Sequence, residues 1–352
     1  MKIGPIAETL RERVALLLGI GPRPLLETHS TLLLAQALMV AAKVGLFEAL
    51  ASSALKAADV AARCGTEERA TAKLLSVLEA TGYVKTSAGR SYHLTADARK
   101  WLLPGSEQSL HESLLFRFVE WGWIGGLESF VRSGRPLDIH SGMSAPNWNL
   151  YQRGMRSLAA GLVREVASRT PVPNGARTML DLGGSHGLFS VALCRRHPGL
   201  HAEVLDLPDA VAQAAPLLAR EGLGNRVKIR AGDGLKEELG ADAFDLVFVS
   251  NLLHHFEPSQ SRDVIRRVAR ALRPGGILVI QELFTPSSAG QAGQVGALAN
   301  LYFALTSASG TLSVGDLAAW EREAGLRPRR PVRFATLPGA GQQNAVKPGS
   351  PI

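Results

Sequence analysis

Short apolar runs alternate with amphipathic segments along the C-terminal half of the chain. From Val172 onward, apolar runs of strand length are separated by segments whose apolar residues recur at helical spacing. This alternation predicts a parallel sheet with helices on both faces and ligands at the carboxyl ends of the strands. The predicted strands are Arg177–Leu182, Ala202–Asp206, Val227–Ala231, Phe244–Ser250 and Ile277–Glu282, and the predicted helices are Gly187–Arg196, Pro208–Glu221 and Ser259–Leu272.

Turn residues mark the end of this pattern. Arg273-Pro-Gly-Gly276 precedes the fifth predicted strand and indicates a tight turn. In the tail, Val332–Phe334 and Asn344–Lys347 flank the turn residues Pro338–Gly341, so they are candidates for a closing antiparallel pair. These segments would complete an α/β domain that covers residues 171–352.

The N-terminal third has a different pattern, in which helical segments are followed by a hairpin. The predicted elements are helical segments in Thr31–Leu50, Lys56–Cys64 and Glu67–Thr81 and a hairpin in Tyr83–Leu94 with a Ser-Ala-Gly turn. This order is typical of a winged helix-turn-helix, which either binds DNA or serves dimerisation. The candidate recognition helix, Glu67–Ala80, offers Arg69 and Lys73 among apolar residues, which is little for DNA contacts. Dimerisation through residues 1–105 is therefore favoured.

Residues 106–170 form a helical, aromatic-rich segment between these two domains. Aromatic side chains pack well in cores, and they also stack on planar ligands. Two interpretations stay open for this segment: packing between the domains, or the lining of a flat pocket for a small-molecule acceptor. The candidate pocket residues are Trp121, Trp123, Trp148 and Met155.

Composition narrows the class of protein. The 352 residues are 46% apolar and 20% charged, which is ordinary for a soluble chain with two domains. The two cysteines, Cys64 and Cys194, form neither a disulfide framework nor a metal site, so a cytoplasmic protein without a metal is expected. Polar residues interrupt the apolar segment 31–51, which argues against a membrane span. The N-terminal residues lack the apolar core of a signal peptide. No membrane partner is therefore expected. The net charge of +8 is spread over many segments, which argues against a nucleic-acid partner.

The stretch from Met179 to Asp206 contains the most specific chemical signal. A predicted strand ends in the turn Gly183-Gly-Ser-His-Gly187, a helix follows, and Asp206 ends the next strand. Glycines at this place let the backbone approach a ligand at a helix N-terminus. An acid at the end of the second strand can accept both hydroxyls of a ribose. The pattern therefore predicts a nucleoside-binding half-fold.

Dehydrogenases share such a glycine turn, but the later features are more specific. Gly232-Asp233 follows the third predicted strand, where the carboxylate could bind an adenine amine. Asn251–Glu257, which contains two adjacent histidines, follows the fourth strand. An adenosine with a sulfonium and an amino-acid end would also need backbone carbonyls near Asp181 and Gly183.

With these motifs the chain resembles the class I S-adenosylmethionine-dependent methyltransferases. Among them it is similar to the small-molecule O-methyltransferases with an N-terminal dimerisation domain, which include plant phenolic, acetylserotonin and bacterial natural-product enzymes. The similar segments are Val40–Leu50, Val204–Pro208 and Leu252–Phe256. The resemblance implies a Rossmann-like, doubly wound, seven-stranded α/β sheet with an N-terminal winged-helix domain. It also implies S-adenosylmethionine as cofactor, a small-molecule acceptor and a homodimer through the N-terminal domain.

The resemblance further implies roles for particular residues. His254 matches the family's general base, and Glu282 matches a carboxylate that orients the histidine or the substrate. The residues implied to bind the cofactor are Asp181, Gly183, Gly184, Gly187, Asp206, Leu207, Gly232, Asp233, Ser250 and Asn251. His255 is added to the predicted pocket. Three alternatives remain: capping or packing by His254, His255 as the base in place of His254, and a solvent-facing position for Glu282.

Two departures from the family pattern affect the chemistry. Thr311 is found about where the family often has a second catalytic glutamate, and His255-Phe256 replaces the usual acid and tryptophan. The leading prediction is an O-methyltransferase that acts on a hydroxyl of an aromatic or polyketide-like molecule. The alternatives on the same fold are an N- or C-methyltransferase and a non-methylating enzyme that binds S-adenosylmethionine. The alternative from another class is a winged-helix regulator that senses a nucleoside ligand.

Overall fold

The computed structural model describes residues 4–87, 89–285, 289–337 and 339–349 of the chain. The chain divides into two compact units, residues 1–118 and 119–352. The first is mostly helical, and the second contains the large sheet.

The first unit consists of helices and one hairpin. Its elements are α1 (Leu10–Leu17), α2 (Arg23–Leu25), a π-helical turn (Leu26–Ser30), α3 (Thr31–Lys43), α4 (Leu46–Ala49), α5 (Ala57–Cys64), α6 (Glu68–Ala80), β1 (Val84–Ser87), β2 (Ser91–Leu94), α7 (Ala96–Leu102) and most of α8 (His111–Ile124). Strands β1 and β2 pair antiparallel, with Val84 opposite Leu94, so the predicted wing is confirmed. The predicted Ser-Ala-Gly turn contains Ala88, which lies outside the described residues.

The predicted helix Thr31–Leu50 is divided in the structure. Helix α3 ends shortly before Gly45, whose φ is +76°, and α4 begins at the next residue. Residues with a side chain are strained in this left-handed conformation, so glycine is required there. After the break, Phe47 and Leu50 are fully buried in the core of the first unit.

The second unit is an α/β sheet. Its elements after α8 are α9 (Leu127–Ser133), α10 (Ala145–Ala160), α11 (Val163–Arg169), β3 (Thr178–Leu182), α12 (Leu188–Arg196), β4 (His201–Asp206), α13 (Pro208–Ala219), β5 (Val227–Ala231), β6 (Phe244–Ser250), a 3-10 turn (Leu253–His255), α14 (Pro258–Ala271), β7 (Leu272–Leu283), α15 (Ala289–Thr306), α16 (Val314–Glu323), β8 (Arg327–Pro328), β9 (Val332–Arg333) and β10 (Ala340–Val346). The strand order is β5-β4-β3-β6-β7-β10-β8, with β9 also paired to β10. The described sheet is therefore seven positions wide, and β8 and β9 share the last position.

The order of strands reverses at β3, where a ligand crevice forms in sheets of this kind. Strand β3 pairs in parallel with β4 on one side and with β6 on the other. Strands β4 and β5 are parallel, and so are β6 and β7, whereas β10 runs antiparallel to β7. The carboxyl ends of β3 to β7 consequently lie at one edge of the sheet.

The predicted turn Arg273–Gly276 is a bulge inside β7. Leu272 is opposite Phe244 on β6, and Ile277 is opposite Leu246, so the four intervening residues have a single residue opposite them. Backbone bonds to the tail stabilise the bulge, since the Gly275 N–H donates to the Lys347 carbonyl at 2.8 Å. The extra residues are tolerated within the strand because its pairing with the neighbouring strand continues in register after them.

The closing antiparallel pair exists with a different register from the predicted one. In strand β9, Val332 and Arg333 pair with Gln342 and Gly341, not with residues 344–347. The later tail residues pair with β8, where Val346 is opposite Arg327. The tail strand β10 thus joins β7 to two short edge strands.

Side chains of β3 alternate between the two faces of the sheet. Leu180 and Leu182 belong to a core cluster with residues of α14 and α16, whereas Met179 belongs to a cluster with residues of α11 and α12. This alternation follows from the pleat of the strand. Both faces of the sheet are covered by helices, so the doubly wound α/β class is confirmed.

One helical segment in the described part of the chain, Arg23–Lys43, is long and apolar enough to cross a membrane. Leu25, Leu32 and Leu33 on this segment are exposed by 56%, 51% and 57%. Leu32 and Leu33 are adjacent in α3, and exposed apolar side chains of this kind are typical of surfaces that contact another molecule.

Glu321 on α16 is a buried carboxyl group that makes stability depend on pH. Its Oε2 accepts a hydrogen bond from Gln343 Nε2 at 2.8 Å, and burial raises the pKa of Glu321 to about 7. The unfolded chain loses this proton at a lower pH than the folded chain. The free energy of unfolding therefore falls as the pH rises towards 7 and is constant above that range.

We expect Glu321→Gln to stabilise the protein more at pH 8 than at pH 4, by on the order of 3 kcal/mol. The reason is that glutamine has no proton to lose and leaves no buried charge. Thermal unfolding at both pH values measures the difference. The exposed neighbour Glu323 provides the control, Glu323→Gln, and an equal effect of Glu321→Gln at both pH values would contradict the prediction.

Candidate active site

The backbone of the loop after β3 lies so close to neighbouring side chains that a Cβ atom would not fit there. Gly183 and Gly187 have φ of +69° and +68°. A Cβ atom on Gly183 would lie 2.7 Å from the Leu252 side chain, and one on Gly184 would lie 2.6 Å from Asp181 Cγ. Glycine is therefore required at positions 183 and 184, and the loop lies against the ends of β3 and β6.

The carboxylate of Asp206, at the end of β4, binds this loop from the other side. Its Oδ2 accepts the N–H of Ser185, and its Oδ1 accepts the N–H of Leu207, each at 2.7 Å. Burial raises the pKa of Asp206, and these two hydrogen bonds oppose the rise. Each carboxylate oxygen retains a lone pair that a ligand hydroxyl can use.

Asp181, on β3 beneath the loop, is a buried carboxyl group that can accept a further hydrogen bond. Its Oδ2 accepts a hydrogen bond from the Ser190 hydroxyl at 2.6 Å. Its Oδ1 has no hydrogen-bond partner among the described residues. Burial raises the pKa of Asp181 to about 7. A positively charged ligand above the loop would stabilise the ionised form of this group.

Gly232 and Asp233 follow β5. A Cβ atom on Gly232 would lie 2.7 Å from the Glu237 side chain, so glycine is required there as well. The Asp233 carboxylate accepts the N–H of Leu235 at 2.9 Å and pairs with Lys236 at 3.0 Å. These contacts hold the carboxylate at the end of β5 and leave acceptor positions on both of its oxygens.

Ser250 and Asn251 follow β6. The Ser250 hydroxyl accepts a hydrogen bond from Gln281 Nε2 at 3.0 Å, and the Asn251 N–H donates to the Gln281 carbonyl at 2.8 Å. Asn251 has a left-handed backbone with φ of +48°, which asparagine tolerates better than most residues. All the predicted cofactor residues consequently lie at or beyond the carboxyl ends of four neighbouring parallel strands.

His254 and Glu282 form a buried pair beside these residues. His254 Nδ1 lies 2.8 Å from Glu282 Oε2, and the other carboxylate oxygen accepts the N–H of Leu253 at 3.1 Å. Only 3% of His254 and 2% of Glu282 are exposed. A carboxylate bound to Nδ1 selects the tautomer with a proton on that nitrogen, which leaves Nε2 as an acceptor. The solvent-facing alternative for Glu282 is therefore wrong.

Two further histidines lie beside His254. The ring of His255 is 4.1 Å from that of His254, and the ring of His140 is 4.8 Å from that of His255. Burial lowers the pKa of His140 to about 4 and that of His255 well below 6.5, with a further contribution from the neighbouring imidazoles. Both rings are therefore neutral at pH 7. His140 has no signal in the sequence, because it lies on an irregular segment between α9 and α10.

Trp148 on α10 is the predicted pocket residue that the structure brings to this group. Its ring stacks on His140 with a centroid distance of 5.5 Å and an interplanar angle of 19°. Tyr151, one turn further along α10, packs edge-on against both rings. Nothing in the sequence distinguishes Tyr151 from the other aromatic residues of the segment.

His255 also belongs to this group, whereas three predicted pocket residues are described by other surroundings. Trp121 is 36% exposed on α8, and Met155 is half-buried on α10. Trp123 lines a cavity of about 420 Å³ together with Leu137 and Met143.

Gln152 on α10 also reaches the site, and the sequence contains no motif that indicates it. Its Oε1 accepts a hydrogen bond from the Ser185 hydroxyl at 2.6 Å. Helix α10 thus contacts the glycine loop through Gln152 and the histidines through Trp148. One rigid helix therefore connects the two halves of the site.

Thr311 is not a substitute for the family's second acid. Its hydroxyl bonds to Asn300 Oδ1 at 2.6 Å and to the Thr285 hydroxyl at 2.8 Å. Within the ranges that the structure describes, no group of three or more His, Cys, Asp or Glu side chains is placed to hold a metal ion. Among the described titratable groups of the site, His254 is paired with Glu282, and His255 lies beside it.

We expect Gly183→Ala to weaken cofactor binding by at least about tenfold, because the new methyl group must displace Leu252 and distort the loop. Gly222 provides a matched control. Its φ of +70° is nearly the same, but a Cβ there has open space around it, so Gly222→Ala introduces the backbone strain alone. Calorimetric titration with S-adenosylhomocysteine measures both variants, and equal affinities would contradict the prediction.

Comparisons with known proteins agree with this arrangement. The profile of the O-methyltransferase domain family matches residues 134–312, and that of the O-methyltransferase dimerisation domain matches residues 26–104. The 3-hydroxy-5-methyl-1-naphthoate 3-O-methyltransferase of Streptomyces sahachiroi is 32% identical over 87% of this chain and 89% of its own length.

One further relative and one solved structure are also named as methyltransferases. The N,N-dimethyltransferase OxyT of Streptomyces rimosus is 27% identical over 93% of this chain and 96% of its own length. The crystal structure of human N-acetylserotonin methyltransferase in complex with S-adenosylmethionine has a TM-score of 0.82 and 20% identity, and covers 98% of this chain and all of its own. The profiles, the first relative and the fold agree with one another. The chain belongs to the O-methyltransferase family, as an S-adenosylmethionine-dependent methyltransferase with an O-methyltransferase dimerisation domain.

Proposed function

We propose that the protein transfers a methyl group from S-adenosylmethionine to a hydroxyl of an aromatic or polyketide-like small molecule, with His254 as general base. The observation that supports this most strongly is the buried pair of His254 and Glu282 next to the cofactor loop. A base that is held in one tautomer and shielded from water can take a hydroxyl proton efficiently.

The residues at the carboxyl ends of β3 to β6 fit the cofactor. The glycine positions form a cradle that a Cβ atom would fill, and Asp181 Oδ1 is a buried acceptor without a partner among the described residues. Two carboxylates, Asp181 and Asp206, suit a ligand with a sulfonium and an ammonium group. In this proposal Asp206 binds the ribose and Asp233 the adenine amine, while Leu207, Ser250 and Asn251 shape the crevice.

The chain's own residues would perform the proton transfer. Glu282 accepts the Nδ1 proton of His254 in a hydrogen bond and so keeps Nε2 free to receive a proton from the acceptor hydroxyl. The carboxylate then stabilises the imidazolium that forms. The bound cofactor supplies a methyl group that is already activated by its sulfonium. In-line placement of the two reactants is the remaining requirement.

The first unit supports a homodimer in the cytoplasm. Residues 26–104 match the dimerisation domain, and exposed leucines such as Leu32 and Leu33 lie on α3 in that range. Burying such side chains against a second copy would be favourable. The free thiols of Cys64 and Cys194 suit a reducing compartment.

A nitrogen acceptor is the second candidate, because OxyT, a relative that aligns along almost the whole chain, is named as an N,N-dimethyltransferase. Incubation of the purified chain with S-adenosylmethionine and matched naphthols and naphthylamines separates the two. The hydroxyl proposal predicts S-adenosylhomocysteine and a methyl ether by mass spectrometry. Methylation of the amines alone would reject it.

A further inference from the structure

Ser185 has an unusual backbone conformation for a residue with a side chain. Its φ is +50°, in the left-handed region that Gly183 and Gly187 of the same loop also adopt. This conformation is costly for a residue with a Cβ atom, and it persists only where surrounding contacts hold it. The shape of the glycine loop therefore depends on the contacts that hold Ser185.

Two hydrogen bonds hold Ser185. Its backbone N–H donates to Asp206 Oδ2 at 2.7 Å, and its hydroxyl donates to Gln152 Oε1 at 2.6 Å. Only 1% of Gln152 is exposed, so water has little access to the residue that accepts the hydroxyl. The strained residue is thus tied both to the carboxylate at the end of β4 and to helix α10.

Helix α10 is itself fixed against α13, the helix that follows β4. Asn149 Nδ2 donates to Gln213 Oε1 at 3.0 Å, and Arg156 forms an ion pair with Glu221, just beyond the end of α13. Residues 149, 152 and 156 are three and four positions apart, so they lie on one face of α10. Gln152 therefore lies between two contacts that anchor its helix, about one turn away on either side.

We propose that Gln152 is a positioning residue for the cofactor: by accepting the Ser185 hydroxyl, it holds the glycine loop in the conformation that binds S-adenosylmethionine. Gln152 acts through Ser185, whose backbone N–H in turn binds Asp206. A loop that is already ordered loses less conformational freedom when a ligand binds, so this bond raises the affinity for the cofactor. The inference rests on the proposed function, which places the ribose at Asp206.

Replacing Gln152 by methionine tests this role, since methionine has a similar length and shape but lacks the amide oxygen. Calorimetric titration of the full chain with S-adenosylhomocysteine measures the affinity without turnover. We expect Gln152→Met to bind this ligand about tenfold more weakly than the wild-type chain. Gln213→Met is the matched control, because it removes a hydrogen bond of α10 that does not reach the loop. Its affinity should stay within about twofold of wild type.

Two substitutions of Ser185 separate backbone strain from the loss of the hydroxyl. Both Ser185→Ala and Ser185→Gly remove the hydroxyl, but only glycine adopts the left-handed conformation without strain. We expect Ser185→Ala to weaken binding about tenfold, whereas Ser185→Gly should remain within about threefold of wild type. In the Ser185→Gly background, Gln152→Met should have less than about a twofold effect, since the hydroxyl through which Gln152 acts is absent. Thermal melting shows that each variant is folded.

The proposal is overturned if Gln152→Met binds like wild type, if Gln213→Met weakens binding equally, or if Gln152→Met has the same effect in both backgrounds. It is also overturned if Ser185→Ala and Ser185→Gly bind with equal affinity. Ser185 is a half-buried loop residue, so this last comparison remains decisive even if Gln152→Met does not fold. Failure of the proposed function has a different signature. In that case the variants differ in affinity as expected, but the wild-type chain methylates no naphthol when S-adenosylmethionine is supplied.

Discussion

Replacing His254 by asparagine will lower kcat by about 10²–10⁴-fold and leave the affinity for S-adenosylmethionine unchanged. The asparagine amide can donate to Glu282 from about the place of His254 Nδ1, so the buried carboxylate keeps a partner. The atom that is lost is Nε2, the acceptor of the hydroxyl proton in our proposal. Single-turnover kinetics at saturating acceptor measure the chemical step directly.

A matched control separates chemistry from packing. His201 at the start of β4 is exposed, so His201→Asn makes the same substitution away from the site and should leave kcat within about twofold. If His254→Asn retained the wild-type rate while remaining folded, the general-base role would be wrong. The alternative of a packing histidine would then stand.

Glu282 is a positioning residue in this proposal, and its effect should depend on His254. We expect Glu282→Gln to lower kcat without changing the affinity for the acceptor, because the amide favours neither the tautomer nor the imidazolium. In the His254→Asn background, the same change should have little further effect on kcat, since the group on which it acts is absent. Additive losses would show that Glu282 acts by another route.

Asp206→Asn will weaken S-adenosylmethionine binding by about 100-fold, the second large effect that we expect. Both carboxylate oxygens accept backbone hydrogen bonds at 2.7 Å, from Ser185 and Leu207. The amide nitrogen of asparagine cannot accept, so one of these N–H groups loses its partner and the loop shifts. The charge-assisted bonds to the ribose hydroxyls are weakened at the same time, and each is worth about 1.5–3 kcal/mol.

Asp209 in the first turn of α13 offers a close control for this prediction. It is exposed and lies three residues after Asp206, so Asp209→Asn changes the same charge without touching the loop. Calorimetric titration of both variants with S-adenosylmethionine compares them directly. Equal affinities of Asp206→Asn and wild type would remove the ribose role, whatever the activity of the variants.

The cofactor half of the site was predictable because its requirements are local. Glycines after β3 are needed for close backbone approach, and an acid at the end of β4 lies at a known edge of a parallel sheet. His254 follows β6 and Glu282 lies at the end of the adjacent parallel strand β7, so the topology brings the two residues to the same edge of the sheet. The predicted ends of two elements differ from the structure. Gly45 divides a segment that was predicted as one helix, and Arg273–Gly276 forms a bulge inside a strand where a turn was predicted.

The acceptor half of the site was only partly predictable because it depends on contacts between distant segments. Trp148 was one of several aromatic candidates, and hydrophobic pattern cannot rank a buried tryptophan against exposed Trp121. His140 lies on an irregular segment, where periodicity gives no information about the direction of a side chain. Its position against Trp148 and His255 follows from the packing of α10 beside the sheet.

By itself the sequence determined the α/β class, the glycine loop after β3 and the strand-end positions of Asp206 and Glu282, because strand periodicity and turn residues encode them locally. The catalytic roles of His254 and Glu282 come from the resemblance to the family and remain predictions. The tertiary structure alone decided that Glu282 is buried against His254 and that His140 and Trp148 lie beside the two adjacent histidines. Burial and electrostatic fields are properties of distant segments brought together, so no local pattern along the chain records them.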